Sequence, residues 1–397
     1  MQHASQTVKK IIIDVTHIVR NFMLNRRPTG VRRVGLAYIE HYGHCAQALY
    51  KGRLLSRAQS DKLFASILVG GSKHAVRLAI LSGCFTDLYL DKPERGFLIN
   101  PSFDGLEKPG YVERLNSLGV KPVFVVYDLI PISHPEYCVD IAKNRHFARV
   151  DRMLESTSGA ICISTATSEA LTQYAGQSNQ RLPATVIAPL ASAIHHYLPG
   201  KRLINEPYFV ILGTIEPRKN HALLLQIWRD LVEQLSEKSP RLVIIGQRGW
   251  KNEHVVNLLE HSPLLKEVVI ELSDCSDQDV TTYLHHAEAL LFPSFVEGYG
   301  LPIAEALMLK TPVIASDLPV FREIAGDIPD YAHPLDGMRW RELILAYAEA
   351  NSLTRDAQLL RMRGIRLPTW DEHFGKVNAF LDSLDKKWVN MNDSSCV

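Results

Sequence analysis

In the second half of the chain, short and almost wholly apolar runs alternate with segments of helical period, and no other feature limits the fold as tightly. The runs fall at 208–212, 242–245, 268–271, 289–292 and 312–315, and NHALLLQIWRDLVEQL, NEHVVNLLE, SDQDVTTYLHHA and LPIAEALML lie between them. Such alternation predicts a parallel sheet with helices on both faces, because a parallel strand can rejoin its sheet only through a crossover. Strands apolar on both sides are buried on both sides. The first half repeats the pattern less regularly, with strands expected at 10–15, 97–99, 123–127, 160–163 and 186–188. A helix follows residue 163, opened by STATSEAL, where hydroxyl caps and Glu169 suit a helix start.

A chain of 397 residues exceeds one ordinary core. The Pro- and Gly-bearing stretch AIHHYLPGKRLINEPY, 193–208, predicts the boundary between two doubly wound α/β domains facing each other across a cleft. Ligands of such sheets bind at the carboxyl ends of the strands. The 44 basic and 43 acidic residues nearly cancel, so no global field argues for nucleic acid. Six scattered cysteines make neither a disulfide framework nor a zinc knuckle, and Cys138 and Cys162 read as buried thiols, which favours a reducing compartment. The opening MQHASQTVKKIIIDV has too short an apolar run for a signal peptide, and no stretch reaches the ~18 apolar residues of a membrane span, so a cytoplasmic location is expected. Among sixteen histidines no zinc spacing occurs; His195-His196 reads as a linker pair and His285-His286 as a helix-surface pair, and no metal is expected.

The segment FVEGYGLPIAEALMLKTPV, 295–313, poses a chemical problem. The loop 293–300 lies at the carboxyl end of a strand, with Leu301 expected as helix cap, Pro302 at the first helical position and Glu305 in the first turn. Gly298 and Gly300 allow close backbone approach, and helix-start N–H groups suit an anion. Glu297 and Glu305 would repel phosphate. The conflict resolves if each glutamate accepts hydrogen bonds from hydroxyls, one sugar on each side of a diphosphate, which is the layout of a nucleotide-sugar. The positive charge comes from YFVILGTIEPRKNH, 208–221, whose loop carries Arg218 and Lys219. Each feature has a plainer alternative: a helix-dipole charge for Glu305, a solvated turn for Arg218-Lys219, and a normal turn residue for Asp128 and Gly30.

FVEGYGLPIAEAL with GTIEPRKN upstream resembles the family-four retaining glycosyltransferases of the GT-B fold. The resemblance runs through PTGVRRV (28–34), VVYDLIPISHPEY (125–137) and a terminal helix opening at Trp370-Asp371-Glu372. It implies two Rossmann-like domains, an acceptor-side one over 1–200 and a nucleotide-sugar-binding one over 201–370, with a helix over 371–397 packing back on the first. It implies that Glu297 holds hydroxyls of the donor sugar and Glu305 the ribose, while Arg218 and Lys219 stabilise the leaving diphosphate. Gly213, Thr214, Gly298, Tyr299, Gly300 and Leu301 would complete the donor site, with Gly30 at the cleft and Asp128 presented from the first domain. Three positions depart from the family pattern: Tyr127 where histidine commonly precedes the aspartate, Lys310 and Ala191 where glycine is usual.

The activity implied is retaining hexosyl transfer from a nucleoside diphosphate sugar to a glycan or lipid-linked acceptor in bacterial polysaccharide assembly, whether O-antigen, capsule or exopolysaccharide. No cofactor or metal is required, and a likeness to mannosyl- and rhamnosyltransferases makes GDP-mannose the first donor to test. The base would meet the loop holding LSDC, 272–275. A nucleotide-sugar epimerase and a non-catalytic partner subunit are the rival readings. The basic stretch KGRLLSRAQSDKLFASILVGGSKHAVR, 51–77, reads either as a solvated helix face or as a peripheral contact with the inner face of the plasma membrane.

Overall fold

The computed structural model describes residues 10–24, 30–81, 96–192 and 198–393. Part of the interdomain stretch, with His195 and His196, and Cys84 and Cys396 lie outside the described residues. The first sheet has seven strands: β1 (Lys10–Asp14), β2 (Gln47–Tyr50), β3 (Arg53–Leu54), β4 (Gly96–Asn100), β5 (Lys121–Val126), β6 (Gly159–Cys162) and β7 (Thr185–Ile187). Their order is β3-β2-β1-β4-β5-β6-β7, all parallel except the β2–β3 hairpin at one edge. The second sheet is parallel throughout, built from β8 (Tyr208–Leu212), β9 (Arg241–Ile245), β10 (Val269–Leu272), β11 (Leu290–Phe292), β12 (Val313–Ser316) and β13 (Asp330–Ala332) in the order β10-β9-β8-β11-β12-β13.

In each sheet the chain first builds outward in one direction and then crosses back to build in the other. The reversal lies between β1 and β4 in the first sheet and between β8 and β11 in the second. A crevice opens at such a reversal, because the loops on either side diverge to opposite faces. In the second domain those loops are 213–220 and 293–300, which carry Arg218, Lys219 and Glu297. The first domain has a cavity of about 600 Å³ at its own reversal, lined by His17, Ser102, Asp104, Arg145 and Arg149 among others.

The strands β2, β3 and β13 escape the sequence reading. QALY, RL and DYA are too short, and too interrupted by polar residues, to stand out as apolar runs. The core of the second domain packs Phe209, Trp228 and Trp340 with no exposure. The first domain's core is completed from a distance: Phe374, Val377, Phe380, Leu381 and Leu384 of the helix Trp370–Asp393 join Ile11, Ile13 and Ile99 in one cluster. Fully burying such a side chain stabilises by roughly 1.5–3 kcal/mol. His373 anchors this helix, its Nε2 3.0 Å from the Tyr38 hydroxyl and its Nδ1 3.1 Å from the Ala188 carbonyl oxygen.

Residues 51–77 hold the helix Arg57–Leu68 and most of Lys73–Leu81. A Ser56–Gln59 capping box opens the first, and its Leu63, Phe64 and Ile67 are buried. Leu68, Val69, Leu78 and Leu81 are exposed beside the basic side chains, Val69 at 85 %.

Candidate active site

One short loop joins the two domains most closely. The helix Leu301–Met308 is capped by Gly300 at φ 151°, with Pro302 in its second position, so the cap lies one residue before the Leu301 that the sequence suggests. Glu305 accordingly sits just past the first turn, not in it. Gly300 packs against Phe321, and its φ excludes most side chains. Gly298 is wedged against the first domain: a Cβ there would stand 2.2 Å from the Tyr127 carbonyl oxygen and 2.8 Å from the Asp128 Cβ. Ser164 Oγ donates to the Gly298 carbonyl at 2.7 Å, and Thr167 Oγ1 donates to the same oxygen at 3.2 Å. The Tyr299 side chain is spent on the first domain, where it is buried and donates to the Leu190 carbonyl at 2.7 Å. Any donor contact at this residue falls to its backbone.

Glu297 is the hub of a buried charge cluster. Arg218 Nη1 lies 2.6 Å from its Oε2 and Lys219 Nζ 2.5 Å from its Oε1, and Ser294 Oγ donates to Oε1 at 2.8 Å. Burial alone would push this carboxyl up; Arg218 and then Lys219 overcome it and hold the group down at about 2. Arg218 also pairs through Nε with Glu216 at 2.7 Å, and Glu297 and Glu216 outweigh burial in keeping it charged. Burial pushes Lys219 down and Glu297 pulls against it, while the Phe292 ring faces its ammonium at 4.5 Å. Gly213 lies against the Lys219 side chain, where a Cβ would meet its Cε at 3.3 Å, and the Thr214 methyl packs on Gly249. A backbone bond from Phe295 N to the Arg218 carbonyl at 2.8 Å ties the two loops together.

Glu305 is 4 % exposed and takes its ion pair from across the cleft, with Arg33 Nη1 at 2.9 Å from its Oε1. Arg33 Nη2 contacts Asp277 at the start of the helix Asp277–His285, just beyond the LSDC loop. Arg33 belongs to the helix Gly30–Tyr42, whose first residue abuts Leu301: a Cβ on Gly30 would lie 3.2 Å from the Leu301 Cδ1. The sequence reading passed over Arg33, although PTGVRRV contains it, because an arginine gives no local sign of a partner 272 residues away.

Asp128 follows β5, accepts from the Ile130 N–H at 3.0 Å and faces Arg218. Tyr127 turns away, donating to the Pro101 carbonyl at 2.5 Å. Beside Asp128 stands His146 of the helix Asp140–Ser156, a second residue missed from sequence. It is buried edge-on to Phe103 at 5.8 Å, its Nε2 has no hydrogen-bond partner among the described residues, and burial pushes its imidazole down against the pull of Asp128. Among the described residues no group of three or more His, Cys, Asp or Glu could hold a metal ion. Of the departures from the family pattern, Lys310 lies just past the helix end at φ 60°, and Ala191 is buried after Leu190.

Residues 200–328 match the family model of glycosyl transferases group 1. That match takes in β8 to β12 of the second domain. The fold of the whole is GT-B: HepE of Anabaena, solved with UDP and glucose, superposes on 95 % of this chain and 100 % of its own with a TM-score of 0.68 at 14 % identity. The serotype-specific mannosyltransferase WbdA of Escherichia coli is 28 % identical over 270 residues, which make up 62 % of this chain and 32 % of WbdA. The O-antigen chain mannosyltransferase B of the same species is 35 % identical over 130 residues, 32 % and 33 % of the two chains. The matched region thus spans about a third of the length of these relatives. The matched residues include Arg218, Lys219, Glu297 and Glu305, whereas Arg33, Asp128 and His146 come from the domain that the family model leaves unmatched.

Proposed function

We propose that the protein is a retaining hexosyltransferase that moves a sugar, mannose from GDP-mannose in the first instance, onto a glycan or lipid-linked acceptor in bacterial surface polysaccharide synthesis. The observation that carries this reading is the buried Arg218–Glu297–Lys219 cluster at the crevice of a group 1 domain, 2.6 and 2.5 Å across its two pairs, with first-domain Asp128 beside it. That both relatives are mannosyltransferases supports the donor sugar, and the O-antigen chain that the second of them extends supports the pathway class.

The chemistry follows from the charges. As the bond from the anomeric carbon to phosphate breaks, negative charge grows on the diphosphate, and Arg218, Lys219 and the N–H groups at the Leu301 helix start oppose it in a site with little water. Glu297 keeps both cations in place and offers its carboxylate to sugar hydroxyls. Glu297 is paired with both cations and Asp128 accepts from the Ile130 N–H, so neither stands as an unpaired nucleophile, which suits front-face attack by the acceptor better than a covalent glycosyl intermediate. Asp128, with the buried His146 beside it, is the first-domain carboxylate that faces this site. No metal is part of this scheme, in which Arg218 and Lys219 are the cations that face the diphosphate.

A panel of GDP-, UDP-, dTDP- and ADP-sugars screened by saturation-transfer NMR tests the reading. Binding of one nucleotide class, weakened by Arg218→Ala and Glu305→Ala, is the expected result; no binding to any would leave a non-catalytic partner subunit in its place. The basic helices Arg57–Leu68 and Lys73–Leu81, with Leu68, Val69, Leu78 and Leu81 exposed, would seat the enzyme on anionic lipid beside a lipid-linked acceptor. Among the described residues no helix is long and apolar enough to cross a membrane. Failure to bind anionic liposomes at low salt would refute the peripheral contact.

A further inference from the structure

Within its own domain, the Glu305 carboxylate faces the wrong charge. It is 4 % exposed, and the charged group turned towards it from the second domain is Asp277, another carboxylate. The cation comes from the first domain. One guanidinium, Arg33, reaches across the cleft with Nη1 on Glu305 Oε1 at 2.9 Å and Nη2 on Asp277. Its fork shape lets one side chain serve both carboxylates, which an ammonium could do only as a point charge. Among the described residues Glu305 Oε2 accepts no hydrogen bond, so one oxygen remains for an incoming hydroxyl while the other stays paired.

We propose that Arg33 is a positioning residue of the nucleotide site: the first domain supplies it to hold Glu305 ionised and aimed at the ribose, so the second domain grips nucleotide fully only while the domains are closed. The inference rests on the donor reading above and extends it, because it makes the ribose site a property of two domains rather than one. Burial pushes Glu305 up, Arg33 pulls it down and Asp277 pushes it up again; the balance stands at about 7, so the carboxyl is poised where a single partner decides its charge near neutrality. Arg33 from the helix Gly30–Tyr42 and Asp277 from the helix Asp277–His285 are the charged groups facing it among the described residues. Ordinary interdomain packing does the rest of the closure: Thr165 N donates to Glu323 at 2.9 Å, and Trp250 Nε1 donates to the Tyr137 carbonyl at 2.7 Å. Those contacts would survive the loss of Arg33; the charge on Glu305 would not.

The test is the affinity for GDP-mannose, whose diphosphate diester does not itself titrate near neutrality, measured by calorimetry from pH 6 to 9. In the unmodified chain affinity should be level above about pH 7 and fall below it by up to about tenfold per pH unit. Arg33→Ala should move that fall at least one unit upward, weakening binding at least about fivefold at pH 7 with partial recovery at pH 9. Arg33→Lys should keep most of the original profile, and Asp277→Asn should move it downward, which tests the same point if Arg33→Ala does not fold. Glu305→Gln should flatten the profile in either background. Arg218→Ala, on the diphosphate, should weaken binding at every pH without moving the profile. If Arg33→Ala weakens binding equally at all pH values, or leaves it unchanged, Arg33 is a structural contact and the inference fails alone. If the unmodified chain binds no nucleotide-sugar, the donor reading fails and takes this inference with it.

Discussion

Replacing Glu297 by glutamine keeps the shape of the side chain and removes the charge between two buried cations. The structure sets the size of the effect. Glu297 is held at about 2 against an ordinary 4.5, and a pKa unit is about 1.4 kcal/mol, so the ionised form is favoured in the fold by roughly 3 kcal/mol. A second route agrees: opposite charges ~4 Å apart near a protein surface attract by about 4 kcal/mol, and breaking a buried pair costs about 3–5 kcal/mol. The folded carboxyl lies below its unfolded value, so this stability is present above about pH 4.5 and is lost as the pH falls towards 2. Scanning calorimetry at pH 7 should show Glu297→Gln destabilised by about 3 kcal/mol, a fall in Tm of about 6–12 °C for a domain of this size. The variant should also be insensitive to the acid loss below pH 4.5 that the unmodified chain shows. In a double-mutant cycle with Lys219→Met the two losses should fall well short of adding, because Lys219 Nζ has Glu297 Oε1 as its counter-ion at 2.5 Å. Hexosyl turnover should fall in parallel. A Glu297→Gln protein within about 1 kcal/mol of the unmodified chain at pH 7, with additive behaviour in the cycle, would show that the cluster does not hold the loops together.

Arg218→Ala should lower turnover on the order of a hundredfold in a radiolabelled-donor assay while circular dichroism stays unchanged, since it removes a donor of charge to the departing diphosphate. Gly298→Ala should lower activity more than it lowers the Tm of the isolated unfolding step, because a Cβ 2.2 Å from the Tyr127 carbonyl oxygen must push the two domains apart; domain separation is readable by small-angle scattering. His373, pushed down to about 4 by burial, should make the protein lose stability as the pH falls from about 6.5 to 4, by roughly 3 kcal/mol, and His373→Asn should flatten that part of a urea-melt profile.

The second domain was largely legible because its strands are apolar runs bounded by turns: the expected 208–212 coincides with β8, and the other four strands shift by a residue or two. The first domain was read less completely, since β2 and β3 form a short hairpin whose burial depends on the helix Arg57–Leu68 lying over it, a contact no local pattern encodes. The candidate site divides in the same way. Arg218, Lys219 and Glu297 could be grouped from sequence because their loops follow adjacent strands, and the structure brings Arg218 and Lys219 each within 2.6 Å of Glu297. Arg33 and His146 could not, because each acquires its meaning from a residue on another element: Glu305 for Arg33, Asp128 for His146. Leu301 was misjudged as a cap because proline favours the first helical turn without fixing which of its positions it takes.

The helix Trp370–Asp393 brings an asymmetry of time as well as of space. Its Phe374, Val377, Phe380, Leu381 and Leu384 complete a core whose other walls, Ile11 and Ile13 among them, are made some 360 residues earlier. A ribosome adding ~5–20 residues per second therefore leaves the first half without its final wall for roughly 10–40 s after β7 has emerged. The second half, whose Phe209, Trp228 and Trp340 cluster draws on none of the described residues before 208, can finish first. The half that begins the chain would then be the last to become native, and in that interval the half most in need of a chaperone.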